Sequence, residues 1–304
     1  MFDVGNLCMG MTMGRRAGIW AVAALGAMVI TGSPVVAQSS LSEHLAVTMS
    51  HAQNSDLHRR FGRALIDDGR DLEIDPGAGV GDARQTLLRR AALYEAMKEF
   101  AKAEADLTAA VQLAPPAAEL YATRAYFYMR RGRFADALND FLAGARTAPD
   151  NARLRFGAGR VQAALGNYAA AVGFYDQAIR LGRREPTFYV ARAEARIHLD
   201  QPRSAWTDYD QALEIKLPRA SDRYYAFLGR GYASLLLADY ASAIADFDNA
   251  LAIDPHAINA LLWRGYAREQ GGQPSLALDD YERAITVDPN DRWARANLQR
   301  LRSN

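Results

Sequence analysis

The sequence predicts an all-α fold, a solenoid of stacked antiparallel helix pairs. Three observations predict it. Prolines recur 34 residues apart, Pro115 with Pro149 and Pro255 with Pro289, each closing a similar phrase: VQLAP, ARTAP, LAIDP, ITVDP. Small residues recur in step with them. The composition, 50% hydrophobic and 23% charged over 304 residues, can build a sizeable core.

Counting back from the prolines gives six units: 84–117, 118–151, 152–185, 186–219, 224–257 and 258–291, with 220–223 as a four-residue insertion. The eighth position of each holds Ala91, Ala125, Gly159, Ala193, Gly231 and Gly265. The twentieth is always alanine: Ala103, Ala137, Ala171, Ala205, Ala243 and Ala277. The twenty-fourth is large: Leu107, Phe141, Tyr175, Tyr209, Phe247 and Tyr281. The twenty-seventh is small again: Ala110, Gly144, Ala178, Ala212, Ala250 and Ala284. Small residues let two helices approach, and the large one fills the space beside them. Turns such as Arg131-Gly132-Arg133 and Leu165-Gly166-Asn167 divide each unit into two helices. A helix cannot bury its apolar stripe alone, so neighbouring units must stack.

This pattern over residues 84–291 resembles the tetratricopeptide repeat (TPR). The resemblance implies a right-handed superhelix of antiparallel helix pairs with a concave groove, a non-catalytic scaffold that binds protein or peptide. Two units depart from the pattern: Arg183 stands where the third should close on proline, and the fourth has Leu217 with Pro218 one place later. Those junctions are expected to be looser or differently angled.

The seventh position holds Arg90, Arg124, Ala158, Arg192, Arg230 and Arg264, and the twenty-third holds Asp106, Asp140, Phe174, Asp208, Asp246 and Asp280. Arginine and aspartate appear together in five units and vanish together in the third. This predicts an ion pair between the two helices of a unit, replaced in the third by an apolar contact. An arginine fork matches carboxylate geometry, which lysine cannot do. A ladder of arginines gripping an anionic ligand is the alternative, disfavoured because each has its own acid.

The resemblance also implies a binding surface along the first helices. Its ninth positions are Ala92, Tyr126, Arg160, Glu194, Tyr232 and Tyr266, with Arg130, Arg153, His198, Tyr225 and Glu269 nearby. Tyr126, Arg130, Arg153, Arg160, Tyr225, Tyr232 and Tyr266 are the candidate protein-binding residues, because tyrosine and arginine are enriched where binding energy concentrates. The competing reading packs these tyrosines between units. Leu88, Ala92 and Thr123 replace the lysine–asparagine clamp of chaperone-binding relatives, so an acidic chaperone tail is not implied.

Outside the repeats, Arg15 and Arg16 precede an apolar run, Ala17–Ile30, broken by Gly32, Ser33 and Pro34 and followed by Val35-Val36-Ala37. That order reads as a secretory signal over 1–37 with cleavage after Ala37. The 14-residue run is short of the roughly 20 needed to span a bilayer. An exported protein, periplasmic or secreted, is therefore expected, and an uncleaved anchor is the one route to the membrane. The single cysteine, Cys8, lies inside the signal, so the mature chain has no disulfide and no cysteine metal site. Residues 38–83 read as a degenerate repeat or helical cap, ending in the linker PGAGVGD at 76–82. Residues 292–304 read as a capping helix with Trp293, Leu298 and Leu301 turned back on the last unit.

Chemistry is hard to find. The Gly77, Gly79, Gly81 run follows no predicted strand and precedes no lysine, so it is not a phosphate loop. His44, His51 and His58 are spaced by seven. That spacing separates neighbours by about 10.5 Å along a helix, too far to share a metal. No nucleophile elbow or metal-ligand cluster is present, which predicts no enzyme activity, no metal and no cofactor. A net charge of +1 without a basic stripe excludes a nucleic-acid footprint.

Overall fold

The computed structural model describes residues 79–113 and 117–303. The secretory signal and the degenerate repeat expected before them lie outside the described residues, apart from the end of the linker. Thirteen α-helices make up the described chain. They are α1 (Val80–Ala96), α2 (Phe100–Gln112), α3 (Ala118–Arg130), α4 (Phe134–Thr147), α5 (Ala152–Ala164), α6 (Tyr168–Leu181), α7 (Pro186–His198), α8 (Pro202–Ile215), α9 (Ala220–Leu236), α10 (Tyr240–Ile253), α11 (Ile258–Gln270), α12 (Pro274–Val287) and α13 (Arg292–Arg302). Among the described residues there is no strand. Each odd helix pairs with the next even one, and each pair stacks on its neighbours. The first helices of units two to six also touch in succession, α3 on α5, α5 on α7, α7 on α9 and α9 on α11. That places them on the inner side of the stack.

Local chemistry sets the helix ends. Pro186, Pro202 and Pro274 open α7, α8 and α12, where a missing N–H costs nothing. Asn151, Asp239 and Asp291 cap α5, α10 and α13, accepting from the backbone N–H of Arg153, Ser242 and Ala294. The turn within each unit puts one residue in the left-handed region, always at the fifteenth position. Gly132, Gly166 and Gly272 serve in three units, and Lys98, Asp200 and Ala238 adopt the same geometry in the others, with φ between 56° and 79°.

The repeated small and large positions are the core. The alanine at the twentieth position is fully buried in five of six units, and the large residue at the twenty-fourth is at most 5% exposed. Burial of each such aromatic contributes about 1.5–3 kcal/mol. Packing between units is close: a Cβ added at Gly157 would lie 2.3 Å from the Phe141 ring of the preceding unit.

Two boundaries differ from expectation. The insertion 220–223 is helical and lengthens α9 to 17 residues, against 13 in α3, α5, α7 and α11. It adds about one turn of 3.6 residues, so the stack absorbs it without a loop. Helix α1 begins at Val80, inside the expected linker, with Asp82 in its first turn complementing the helix N-terminus. Helix α13 lays Trp293, Leu298 and Leu301 against the last core cluster. No helix among the described residues is long and apolar enough to cross a membrane.

Candidate functional site

Five arginine–aspartate pairs join the two helices of their units. Their closest N···O distances are 2.5–2.8 Å: Arg90–Asp106, Arg124–Asp140, Arg192–Asp208, Arg230–Asp246 and Arg264–Asp280. Each arginine donates to its aspartate from both Nε and Nη2. In the third unit Ala158 and Phe174 join one hydrophobic cluster.

The remaining nitrogen does something the sequence reading missed. Nη1 reaches back into the preceding unit, to Asp176 from Arg192 at 2.6 Å, and to Asp210 from Arg230 and Asp248 from Arg264 at 2.5 Å. Arg124 makes the weaker version, donating to Thr108 Oγ1 at 3.2 Å. These partners share the twenty-fifth position, and the residue there before Ala158 is Leu142. The arginine, its own acid and the previous unit's acid are therefore all lost together at the third unit. That joint loss was the available signal.

Burial works against the Arg230 charge, but the hydrogen bonds and charges of Asp246 and Asp210 together outweigh it and raise the guanidinium above its ordinary value. Burial also pushes the Asp246 carboxyl up, against the pull of Arg230. The two rises conflict if the pair is read as purely stabilising. Desolvation of the carboxylate resolves the conflict: the pair roughly breaks even, and the charge is affordable only while both members are present. These arginines are engaged in the fold and are poorly available to a ligand.

The ninth positions expected to line the groove hold Tyr126, Arg160, Glu194, Tyr232 and Tyr266 in units two to six. Tyr126 lies edge-on to Phe141 at 5.1 Å, and the Arg160 guanidinium sits 5.9 Å from the Tyr126 ring centre. Tyr232 and Tyr266 flank Trp263 at 5.2 and 6.3 Å, and Tyr266 also meets Trp293 of the capping helix at 6.4 Å. Burial raises both tyrosines above their ordinary range, Tyr266 to about 12. Trp263 and Trp293 join this aromatic cluster, which the tyrosines alone did not reveal. Tyr225 stands edge-on to Tyr224 at 5.0 Å.

The other candidates separate. Arg130 forms a bidentate pair with Glu95 of the first unit, 2.7 Å on both arms, and so ties two units together. Arg153 is exposed at the start of α5. His198 stacks on Tyr168 with ring centres 4.0 Å apart, and burial lowers its pKa. Glu269 pairs with Arg300 of α13 at 2.6 Å. Glu194 differs from all of these. Burial pushes its carboxyl up to about 8 against the lowering pull of Arg160, and its Oε1 is sealed off without a hydrogen-bond partner. No group of three or more His, Cys, Asp or Glu among the described residues could hold a metal ion.

One tetratricopeptide-repeat profile matches residues 123–186 and 228–292, and a second matches 85–116. Together they span more than half of the chain. The chain belongs to the tetratricopeptide-repeat family. Tetratricopeptide-repeat proteins generally mediate protein–protein interaction, and the fold is that of a non-catalytic scaffold. Rat dynein axonemal assembly factor 4 is 38% identical over 93 residues, 29% of this chain and 22% of that protein. Human superkiller complex protein 3 is 27% identical over 165 residues, 51% of this chain and 10% of that protein. The chain thus spans a minor part of the curated relatives it matches. Among solved structures, this tetratricopeptide-repeat chain is similar to the C-terminal part of a TPR protein from Cytophaga hutchinsonii, with TM-score 0.59, 14% identity, and 84% of this chain and 98% of that one covered. It is also similar to YrrB, described as a TPR protein with an unusual peptide-binding site, with TM-score 0.55, 19% identity, and 64% and 97% covered. At these identities the likeness is one of fold.

Proposed function

We propose that this chain is an exported adaptor of the bacterial cell envelope, periplasmic in its mature form, that holds an extended protein segment along the inner face of units three to six. The observation that carries the reading is the groove-floor row itself. Arg160 lies mid-row with no ion pair to an acid of its own unit, where Asp176 is held by Arg192, and Tyr232 and Tyr266 gather around Trp263 toward the C-terminal end. Arginine and aromatics are the residues on which interfaces concentrate their energy. An acidic group of the segment meets Arg153 and Arg160, and an apolar group meets the Tyr232–Trp263–Tyr266 cluster. The peptide-binding description of YrrB and the assembly-factor name of the rat relative support a polypeptide partner. A signal-anchored assembly factor for a membrane complex is the second reading, favoured only by the apolar run Ala17–Ile30.

The test is crosslinking and pull-down from the envelope fraction, followed by affinity measurement with the double variant Arg160→Ala, Tyr232→Ala. Truncating a well-packed anchor should weaken binding by about 2 kcal/mol or more. Unchanged affinity with the fold intact would move the interface to the convex face or to the segment before residue 84. The N-terminal residue of the protein purified from cells separates the two readings: Gln38 supports the free adaptor, and an intact Arg15–Ile30 segment supports the anchor.

A further inference from the structure

Glu194 occupies the middle of the groove floor in an unusual electrostatic position. Its Oε1 has no solvent and no hydrogen-bond partner, although the residue as a whole keeps part of its surface. Arg160, one unit away on α5, attracts the carboxyl without a hydrogen bond or ion pair between them, and it is the one charged group among the described residues that acts on Glu194. Tyr175 on α6 and Tyr209 on α8 are buried phenols that feel the Glu194 charge and are pushed up by burial first. His198, one turn along α7, is disfavoured as a cation by its own burial and is stacked on Tyr168. A carboxyl among phenols, with an acceptor left unmade and no cation in contact, is a costly arrangement, and Glu194 Oε1 is the one carboxylate oxygen among the four buried side-chain atoms of the described residues that lack a hydrogen-bond partner.

We propose that Glu194 is the seat of a basic side chain, arginine or lysine, from the segment bound in the groove. This rests on the groove reading given above and adds a second charge requirement to it. A guanidinium or ammonium brings the charge-assisted donor that the carboxyl lacks, and its methylene stem can lie along the tyrosine-lined floor. Arg160 and Glu194 hold the same position in successive units, about 10 Å apart at the spacing of packed helices. An extended chain advances about 3.3 Å per residue. The segment therefore carries an acidic residue for Arg160 and a basic one for Glu194 about three residues apart. Arg160 also opposes a cation seated on Glu194, so its charge moderates the affinity of that seat until an acidic residue of the segment neutralises it.

The experiment uses the full chain, labelled with carbon-13 at glutamate side chains, and n-propylguanidinium chloride at low millimolar concentration as the probe. A saturable shift of the Glu194 carboxyl resonance is expected, with affinity rising several-fold as pH increases through the region of 8. Glu194→Gln abolishes the saturable response. Arg160→Ala tightens the probe about twofold or more, the effect of removing one like charge about 10 Å away in a water-filled groove. A response that fails to saturate, that persists in Glu194→Gln, or that ignores Arg160→Ala overturns the proposal. These outcomes are independent of partner capture. A silent Glu194 beside an intact, Arg160-dependent partner complex sinks this inference alone, and a responsive Glu194 in a protein whose partner ignores the groove sinks only the adaptor interface.

Discussion

Arg192 Nη1 lies 2.6 Å from Asp176 Oδ1, sixteen residues before it, while Nε and Nη2 of the same side chain hold Asp208, sixteen residues after it. One guanidinium thus closes its own repeat and clamps the previous one. Arg196 adds a second cation on Asp208 at 2.6 Å. In the fifth unit Ser234 stands where that second arginine would be, so Asp246 depends on Arg230. Asp246 is 4% exposed and Arg230 19%, whereas Asp210, the backward partner, is 33% exposed. Arg230→Ala should therefore cost about 3–5 kcal/mol, the penalty of an unpaired buried charge. Asp210→Ala should cost under about 1 kcal/mol, as for an exposed pair. Arg192→Ala should fall between them, because Arg196 remains. Urea denaturation checks the order, and equal losses for the three variants would reject the account.

The left-handed residue at the fifteenth position sets up a second comparison. Gly132 holds φ 70° at no steric cost, and Ala238 holds φ 58° with a Cβ. Gly132→Ala should destabilise by about 1 kcal/mol, and Ala238→Gly should be neutral or stabilising by up to about 1 kcal/mol. Thermal unfolding of the two variants decides it. A loss on Ala238→Gly as large as that on Gly132→Ala would show that helix propensity, not the turn, governs the site.

The helix pairs were legible because four positions hold through six registers, and a pattern with that period has one packing solution. The seventh and twenty-third positions were legible as partners because the third unit loses both. The backward contacts were not, because a unit counted from its proline hides a pairing that crosses the boundary: Asp176 belongs to one register and Arg192 to the next. The turn was read at Gly132 and Gly166 but not at Lys98, Asp200 and Ala238, where the stacked helices impose a conformation the residue would not choose. The groove candidates were named from their place in the repeat and from residue type. Residue type cannot tell that Arg130 is tied to Glu95, nor that Glu194, passed over in favour of its tyrosine neighbours, has an acceptor with no partner.

Close approach between units four and five gives a third expectation. A Cβ at Gly229 would lie 2.4 Å from Cζ of Tyr209, and both residues are buried. Gly229→Ala must displace the ring or separate the units, at about 1–3 kcal/mol. Gly173 is the control, being helical and exposed with nothing within 4 Å of its added Cβ. There Gly→Ala should stabilise by about 0.5–1 kcal/mol through helix propensity. Calorimetry of both variants reads the difference in sign, and two stabilised variants would mean the stack at Gly229 is looser than its contacts indicate.

Glu194 makes stability depend on pH in the direction opposite to a salt-bridged carboxylate. Its folded value of about 8 lies above the ordinary glutamate value of about 4.3, so the folded chain binds the extra proton in the window between them. The contribution is fully present below about pH 4, declines as pH rises, and is gone once pH passes the folded value. The slope it adds is at most about 1.4 kcal/mol per pH unit. The paired aspartates also titrate, so the informative quantity is the difference between the wild type and Glu194→Gln, measured by denaturant unfolding from pH 5 to 9. Glutamine keeps the shape and cannot ionise. The variant should lie nearest the wild type at pH 5 and exceed it progressively toward pH 8, with little further change by pH 9. A difference that stays flat across this range would mean that Glu194 is ionised throughout and well solvated, and the unpaired oxygen would then carry no energetic weight.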